Sequence, residues 1–276
     1  MRFRAHAQAS LKTADEIEQM RLSNRFARQV LITLGQQIVP GATTGELNEL
    51  ARELTLAGGA KAAFYRYRVG HKVYEHHICA SVNDCVVHGI PNDRPFEPGD
   101  LVSIDYGCLL NGWIGDTAYT WCVGGQPSPA AAHLMAVTKQ ALVIGIATAQ
   151  AGRRVFDIAR AVQNYCESQG CGVVRTMVGH GVGRRLHEPP QVPNYATNES
   201  RRDRLRPGMT ICIEPMITSG GHETLEMPDG WQVVTSDGSL AAHYEHCIAI
   251  TENGPDVLSL PDDLDALTTG IAKAAA

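Results

Sequence analysis

The stretch "VSIDYGCLLNGWIGDTAYT", residues 102–120, decides the fold of this chain because it predicts a hairpin that carries two carboxylates. Apolar and polar residues alternate on both sides of Asn111-Gly112, a dipeptide typical of a two-residue type I′ turn. Such a turn pairs Leu110 with Trp113. The register of every other pair along the hairpin follows from that one.

This register places the two acidic side chains of the hairpin on one face. Asp105 then lies opposite Ala118, and Asp116 lies opposite Gly107, so both carboxylates have small partners. Their backbones form a diagonal pair roughly 7–8 Å apart. Carboxylates that converge in a poorly solvated place repel each other unless they share a proton or hold a cation. The alternative is a solvated face on which the two aspartates have no special role.

Composition describes an ordinary globular protein with an ample core. The chain has 276 residues, of which 44% are hydrophobic and 19% charged, and a net charge of -5 gives no reason to invoke nucleic acid or an anionic membrane. We find no apolar signal segment at the start and no run approaching a membrane span. The eight cysteines are scattered without a CxxC pair, which disfavours a disulfide framework. We therefore expect a soluble cytoplasmic protein.

The chain reads as two helices followed by strands, twice over. In the first half, one helix begins at a capping box of Thr13 and Glu16 and stops at Pro40-Gly41, and a second covers residues 43–59. Strand-like segments follow from residue 78 to 123. This pattern predicts an α+β fold built from two similar halves.

The second half repeats the order of the first. Ser128 caps a helix that has Pro129 at its first position, and a shorter helix follows and is closed by Gly170. Strands return from Val173 onward. No linker is evident between the halves, so we expect a single catalytic domain over residues 13–260, with tails at 1–12 and 261–276.

Four more polar residues interrupt apolar strand-like segments in the second half. They are His180 and His187 in "VVRTMVGHGVGRRLHEPPQV", Glu214 in "MTICIEPMITSG" and Glu245 in "AAHYEHCIAITENG". Taken singly, they are compatible with a turn histidine, a surface histidine, a strand ending in solvent and a charged strand edge. Their joint occurrence with the hairpin aspartates favours a different interpretation.

Four carboxylates and one imidazole from separate strands are a donor set for two divalent ions that share carboxylates. Two ions about 3.5–4 Å apart hold a bridging water, lower its pKa and present hydroxide to a carbonyl. The predicted metal ligands are Asp105, Asp116, His180, Glu214 and Glu245. Cations would also explain why the two aspartates of the hairpin can lie together.

Five motifs, in order, resemble the bacterial type I methionine aminopeptidases over residues 13–255. They are "VVHGIP" (86–91), "IDYG" with "NGWIGDT" (104–117), "GHGVGRRLHEPPQV" (179–192), "GMTICIEPMI" (208–217) and "HYEHCIAIT" (243–251). The resemblance implies the pita-bread fold, in which two pseudo-symmetric αβ halves with an antiparallel sheet flanked by helices hold the metals between them. It implies release of the initiator Met from nascent proteins when the second residue is small.

The resemblance also implies roles for individual residues. Asp116 and Glu245 would bridge the two ions, whose identity among Co²⁺, Mn²⁺, Fe²⁺ and Zn²⁺ is left open. Glu214 would also be the general base that relays a proton from the water. His187 would contact the substrate peptide group and stabilise the oxyanion, and His88 would hold the substrate or the departing amine.

The pocket for the methionine side chain departs from the family pattern. By the resemblance, Tyr74, Cys79, Leu186 and Trp231 bind the substrate. His71 falls where an aromatic residue is usual, Leu186 stands in place of a Phe, and Pro189 replaces a common Glu. Because of these differences, we expect an altered S1 pocket. Loss of one pocket contact changes the selectivity for the N-terminal residue by roughly 1–3 kcal/mol.

Two other functions remain open. A relative with X-Pro specificity typically carries an additional N-terminal domain, for which this chain has no room. A non-catalytic binding relative would lose metal ligands and gain basic patches, whereas all five ligand positions are filled here.

The expected partners are the N-termini of nascent proteins, and we expect the chain to be a monomer. The pairs Arg184-Arg185 and Arg201-Arg202 would make a transient ribosome contact or lie in solvated loops. The terminal "LTTGIAKAAA" is expected to carry no chemistry.

Overall fold

The structure, a computed structural model, describes residues 8–259. Most of the predicted N-terminal tail and all of the 261–276 tail, including "LTTGIAKAAA", lie outside these residues. The helices are α1 (Ala14–Gly35), α2 (Thr44–Ala57), α3 (Pro129–Thr148) and α4 (Val155–Ser168), with short 3₁₀ helices at Val123–Gly125 and Glu199–Arg201.

The strands run in the same order as the sequence predicts, in one group after each helix pair. Those of the first half are β1 (Lys61–Ala62), β2 (Arg68–Val69), β3 (Lys72–Val73), β4 (Cys79–Val82), β5 (Cys85–Val87), β6 (Leu101–Leu110) and β7 (Trp113–Cys122). Those of the second half are β8 (Gly172–Val173), β9 (Gly179–Gly181), β10 (Glu188–Val192), β11 (Thr210–Ile213), β12 (Met216–Thr218), β13 (Thr224–Glu226), β14 (Val233–Thr235), β15 (Ala241–His243), β16 (Glu245–Thr251) and β17 (Gly254–Val257).

The largest sheet joins strands from both halves. Its order is β1-β6-β7-β16-β11-β9-β10, with β4 beside β6 and β17 beside β16, and the strand pairs are antiparallel. Smaller sheets have the orders β15-β12-β8, β13-β14-β5 and β2-β3. Strand β16 follows β7 directly in the sheet, so the two halves of the chain meet there.

The helices cover one face of this sheet. Helices α1 and α2 pack on the apolar side chains of β6, including Ile104 and Tyr106, and α3 and α4 pack on those of β11 and β16, including Ile211 and Ile248. Because side chains alternate along a strand, the residues between these apolar positions point to the opposite face. That opposite face carries the polar residues predicted from the sequence.

The predicted helix starts are confirmed. Thr13 accepts from Glu16 N in a capping box, and Ser128 caps α3 with Pro129 at its first position. Helix α1 ends at Gly35, earlier than the predicted stop at Pro40-Gly41. Beyond Gly35 the helical i→i−4 bonds give way to tighter i→i−3 bonds, from Gln37 N to Leu34 O at 2.9 Å and from Ile38 N to Gly35 O at 3.3 Å.

Helix α3 corrects one expectation about membranes. It is long and apolar enough to cross a bilayer, contrary to the expectation that no segment approaches that length. Just over half of its most apolar window, 56%, is buried inside the protein, and Leu134 and Ile146 are fully buried in the core. These contacts are those of a core helix.

The central hairpin has the predicted register. Leu110 pairs with Trp113, Asp105 with Ala118 and Asp116 with Gly107. Asn111 and Gly112 have φ angles of 52° and 81°, the positive values that a type I′ turn requires at both central positions. Local turn chemistry therefore positions both aspartates.

Candidate metal centre

Five neighbouring strands of the large sheet bring the predicted ligands together. In sheet order they are β6, β7, β16, β11 and β9. The side chains, in the same order, are Asp105, Asp116, Glu245 at the start of β16, Glu214 directly after β11, and His180. All five face the side of the sheet opposite the helices.

Strand register arranges four side chains of the centre in one row across the sheet. Asp105 pairs with Ala118, and Ala118 pairs on its other side with Glu245. The pairing of Ile213 with His246 places Glu214, one residue further, opposite Glu245. Ala118 is the small residue that lets the carboxylates on either side approach each other.

A second row lies directly beside the first. Cys212 pairs with Cys247, and the pairing of His246 with Thr117 places Cys247 next to Asp116. The pairing of Ile211 with Gly181 likewise places Cys212 next to His180. Two thiols therefore lie between Asp116 and His180, a placement that the sequence did not reveal.

The donor atoms of these rows are close to one another. Single donor atoms of Asp116, His180, Cys212 and Glu245 all lie within 4.8 Å of each other. His180 Nε2 is 3.8 Å from Asp116 Oδ2 and 3.5 Å from Glu214 Oε1. A space of this size, bounded by oxygen, nitrogen and sulfur atoms, matches the size of a metal coordination shell.

The hydrogen bonds of His180 define which ring nitrogen faces the carboxylates. Nδ1 lies 3.0 Å from Gly181 O, and because a carbonyl only accepts, Nδ1 carries the proton. Burial lowers the pKa of His180 to about 4, so the ring is neutral. Nε2 therefore presents a lone pair to two carboxylates, which is favourable only around a cation or a shared proton.

Burial disfavours the ionised form of all four carboxylates at this centre. Burial raises the pKa of Asp105 to about 7. Burial, and then the neighbouring carboxylates, raise the pKa values of Asp116, Glu214 and Glu245 well above their usual range. Burial also raises the pKa of the Cys212 thiol. A positive charge at the centre would reverse these shifts.

Unpaired oxygens indicate that the donor set fits a divalent ion. Asp105 Oδ1, Asp116 Oδ1 and Glu245 Oε1 are buried without a hydrogen-bond partner among residues 8–259. Buried carboxylate oxygens without partners are costly unless a metal binds them. The residues at this centre therefore fit one or more divalent ions with mostly oxygen donors.

Four histidines surround the carboxylates. The His187 ring lies 4.4 Å from that of His180, and His243 Nε2 is 3.8 Å from Glu214 Oε2. His88 borders the same cavity with a φ of 58°, an uncommon conformation for a residue other than glycine. Burial lowers the pKa of His88 to about 4, of His187 to about 2 and of His243 to about 3, so all are neutral.

A cavity of about 410 Å³ opens onto this centre. The predicted pocket residues Tyr74, Cys79, Leu186 and Trp231 all line it, and the Tyr74 and Trp231 rings meet edge to face at 5.2 Å. His71 is exposed and is not among its lining residues. Predominantly apolar walls with a polar floor are typical of a small-molecule or side-chain pocket.

Several lining residues were not found from the sequence. Phe64 and Tyr67 add aromatic walls, and Tyr67 Oη lies 2.6 Å from His187 Nδ1. Lys72, on the short β2–β3 hairpin, donates to Glu226 Oε1 and to Gly230 O at 2.9 Å each. This hairpin therefore forms part of the cavity rim.

A buried ion pair between Lys12 and Glu188 anchors the loop that carries His187. Lys12 Nζ lies 2.9 Å from Glu188 Oε2, and the two side chains are 5% and 8% exposed. Glu188 Oε1 accepts from the backbone N–H groups of Arg184 and Arg185. Lys12 belongs to the predicted N-terminal tail, yet it packs against the loop of a predicted site residue.

The predicted basic pairs have local partners. The Arg184 guanidinium lies 4.0 Å from the Trp113 ring centroid and 3.7 Å from Glu16 Oε1. The Arg201 guanidinium lies 3.6 Å from the Phe156 ring centroid. Both contacts stabilise the protein's own surface.

The fold and this centre define a metallopeptidase. The model of "Metallopeptidase family M24" matches residues 18–252, and the chain belongs to that family. Its relatives are methionine aminopeptidases. One from Aquifex aeolicus (strain VF5) is 42% identical over 248 residues, which cover 88% of this chain and 96% of the relative.

Solved structures support the same family. A methionine aminopeptidase from Thermotoga maritima superposes with a TM-score of 0.86 at 40% identity, covering 92% of this chain and all of the other. A prolidase from Pyrococcus furiosus has a TM-score of 0.71 at 22% identity, and this chain covers 66% of it. The second likeness concerns the fold alone. The pita-bread α+β fold expected from the sequence is confirmed.

Proposed function

We propose that this chain is a methionine aminopeptidase, a metal-dependent exopeptidase that removes the initiator Met from nascent proteins when the second residue is small. The relatives named methionine aminopeptidase, matched over nearly their whole length, support this function over X-Pro cleavage. The observation that carries the chemistry is the buried centre of carboxylates and one imidazole at the floor of a mostly apolar cavity.

The centre would hold two divalent ions, which supply Lewis acidity when bound. The proposed ligands are Asp105, Asp116, His180, Glu214 and Glu245. By the resemblance, Asp116 and Glu245 would be the ligands that the two ions share. Co²⁺, Mn²⁺, Fe²⁺ and Zn²⁺ all suit a donor set of mostly oxygen with one nitrogen.

Glu214 is the proposed general base. Its Oε1 and Oε2 lie 3.5 and 3.8 Å from the Nε2 atoms of His180 and His243, so it borders both the ligands and the cavity. Glu214 would take a proton from the attacking water and pass it to the departing amine. Ionisation of this buried carboxyl requires the positive charge of the ions.

His187 is the proposed donor to the scissile carbonyl. Tyr67 Oη lies 2.6 Å from His187 Nδ1, and burial raises the pKa of Tyr67, so its hydroxyl is protonated; in the proposed state it would donate to Nδ1. The ring proton of the neutral His187 then resides on Nε2, where it can donate to the carbonyl oxygen as negative charge develops. Tyr67 is thus a positioning residue that selects the tautomer.

His88 would hold the substrate or the departing amine from the opposite wall. His88 and Trp231 both line the cavity. Because burial keeps it neutral, it can accept a hydrogen bond from an amine without charge repulsion.

The methionine side chain would bind among Tyr74, Cys79, Leu186 and Trp231. Aromatic rings and a thiol suit a flexible thioether, which makes favourable sulfur–aromatic contacts.

We also propose that residues 13–260 form one catalytic domain. It would act in the cytoplasm, as a monomer, on the N-termini of proteins emerging from the ribosome. The pairing of β7 with β16, which joins the strands of both halves in one sheet, supports the single domain. A transient ribosome contact stays a prediction.

The test is a cleavage assay in which metal-free protein is titrated with Mn²⁺ or Co²⁺. The substrates are Met-Ala-Ser, Leu-Ala-Ser, Ala-Pro-Ser and Met-Lys-Ser. We expect release of Met from the first peptide alone, restored by about one to two equivalents of metal. Cleavage of Ala-Pro-Ser instead would establish the X-Pro alternative. Absence of metal binding would overturn the enzyme function altogether.

A further inference from the structure

Two thiols occupy the floor of the metal centre. Cys212 and Cys247 are both fully buried and face each other across β11 and β16. Each is two residues from a candidate ligand on its own strand, Glu214 and Glu245, so all four side chains point to the same face. Neither thiol has a role in the proposed function.

The backbone geometry brings these two side chains close together. Ile250 N donates to Met209 O at 2.8 Å, and hydrogen-bonded pairs alternate with non-hydrogen-bonded pairs along an antiparallel ladder. The Cys212–Cys247 pair is three positions further and so is non-hydrogen-bonded, the kind in which side chains approach most closely.

Cys212 is the thiol directed at the ligands. Its sulfur belongs to the group of donor atoms that lie within 4.8 Å of each other, together with Asp116, His180 and Glu245, whereas Cys247 is not part of that group. One sulfur, one nitrogen and two oxygens in a buried site are a four-donor set of the kind that zinc accepts.

We propose that Cys212 is a further metal-binding residue of this centre and makes it selective for thiophilic ions. The inference rests on the proposed function only in assuming that a divalent ion binds here. A sulfur–metal bond forms as the S–H bond breaks, and the proton passes to solvent. Because thiolate favours Zn²⁺ and Co²⁺ over Mn²⁺, the chain would retain the softer ions in competition.

The first test is a Co²⁺ titration of the metal-free protein followed by near-ultraviolet absorption. A sulfur-to-cobalt charge-transfer band is expected, and it should be absent in Cys212→Ser and in the bulkier Cys212→Thr. Cys247→Ser and the distant, buried Cys166→Ser are the matched controls and should keep the band. A band that is missing from the unaltered protein with Co²⁺ bound, or that persists in both Cys212 variants, overturns the proposal.

The second test measures metal affinity by competition with a chelator. Loss of a residue that only orients a ligand lowers metal affinity by roughly 10–100-fold, so we expect Cys212→Ser to weaken Zn²⁺ binding by at least that much while leaving Mn²⁺ affinity nearly unchanged. Equal losses of affinity for both ions would mean that Cys212 stabilises the fold and does not bind the ion.

Cadmium-113 NMR of the unaltered protein gives a further readout independent of any variant, because a thiolate ligand shifts the signal strongly downfield. A shift typical of oxygen and nitrogen ligands alone would contradict the inference.

These outcomes are separable from failure of the proposed function. If Co²⁺ binds and Met-Ala-Ser is cleaved without the charge-transfer band, the aminopeptidase function stands and the thiol ligand is wrong. If the band appears and no peptide is cleaved, the thiol ligand stands and the function is wrong.

Discussion

Tyr67 Oη lies 2.6 Å from His187 Nδ1, which makes a half-buried tyrosine the partner of the imidazole that packs against His180. Tyr67→Phe keeps the ring and removes the hydrogen bond. We expect kcat to fall by roughly tenfold, since one hydrogen bond contributes about 1–1.5 kcal/mol, with little change in bound metal. Steady-state kinetics on Met-Ala-Ser and metal analysis provide the measurements.

The control for this variant is Tyr65→Phe, because Tyr65 is exposed and stacks on His77 outside the cavity. It should leave kcat unchanged. If Tyr67→Phe changed only KM, Tyr67 would be a wall of the pocket and not the group that selects the tautomer.

Glu214→Gln removes the proton acceptor while preserving the shape of the side chain. We expect kcat to fall by roughly 10²–10⁴, the usual contribution of general acid–base catalysis, with an unchanged circular dichroism spectrum. Glu226→Gln is the control at the cavity rim, where the carboxylate is exposed and bonded to Lys72. Near-normal turnover in Glu214→Gln would rule out the proposed base.

Asp116→Asn tests whether the hairpin holds a cation. Even substitutions of residues that only orient the ligands lower metal affinity by about 10–100-fold, so loss of a bridging carboxylate should exceed that range. Isothermal titration with Mn²⁺ measures the effect. Asp84→Asn, on the exposed turn between β4 and β5, is the control. Full metal affinity in Asp116→Asn would mean that the aspartates of the hairpin serve some other purpose.

The Lys12–Glu188 pair predicts a pH-dependent stability. Burial opposes ionisation of Glu188, but hydrogen bonds from Lys12 and Ser10 outweigh it and lower its pKa below the usual 4.5. A carboxylate with a lowered pKa stabilises the fold above its unfolded pKa, and this stabilisation is lost as the pH falls through the folded value. Lys12→Met should reduce the free energy of unfolding by about 3–5 kcal/mol near neutral pH.

Urea denaturation at about pH 7 and about pH 4 measures this difference, which should shrink at the lower pH. Lys72→Met is the matched control, because its partner Glu226 is 60% exposed and such pairs contribute about 0–1 kcal/mol. A difference between Lys12→Met and the unaltered protein that grows as the pH falls would contradict the assigned sign.

Gly112→Ala tests the turn that sets the hairpin register. The φ of 81° at Gly112 is unfavourable for a residue with a Cβ, by roughly 1–2 kcal/mol. The atom nearest to the added methyl group would be Arg184 Nη1 at 3.4 Å, so the effect should be conformational and not steric. Thermal unfolding should show the loss, whereas Asn111→Gly should be close to neutral. An unchanged melting temperature would argue against the type I′ geometry.

The sequence predicts well what local chemistry determines. Asn111-Gly112 fixes the register of β6 and β7, and the capping residues Thr13 and Ser128 fix where α1 and α3 begin. The predicted end of α1 was wrong because the chain leaves the α-helical bonding pattern at Gln37 and Ile38, before it reaches Pro40.

The pairing of distant strands is what the sequence could not supply. Cys212 and Cys247 look like small core hydrophobes until β11, β16 and β9 are aligned. His243 had a usable signal, because it precedes Glu245 by two residues and alternation suggests the same face. The roles of the ligands and of His88 and His187 stay predictions that the experiments above can decide.

The order of strands in the large sheet has a consequence for biosynthesis. Strand β16, near the end of the described chain, inserts between β7 and β11. A partly synthesised chain can form the β6–β7 hairpin locally, but it lacks the strand that joins the two halves. Peptidase activity would therefore appear only after β16 has been synthesised and has paired with β7 and β11.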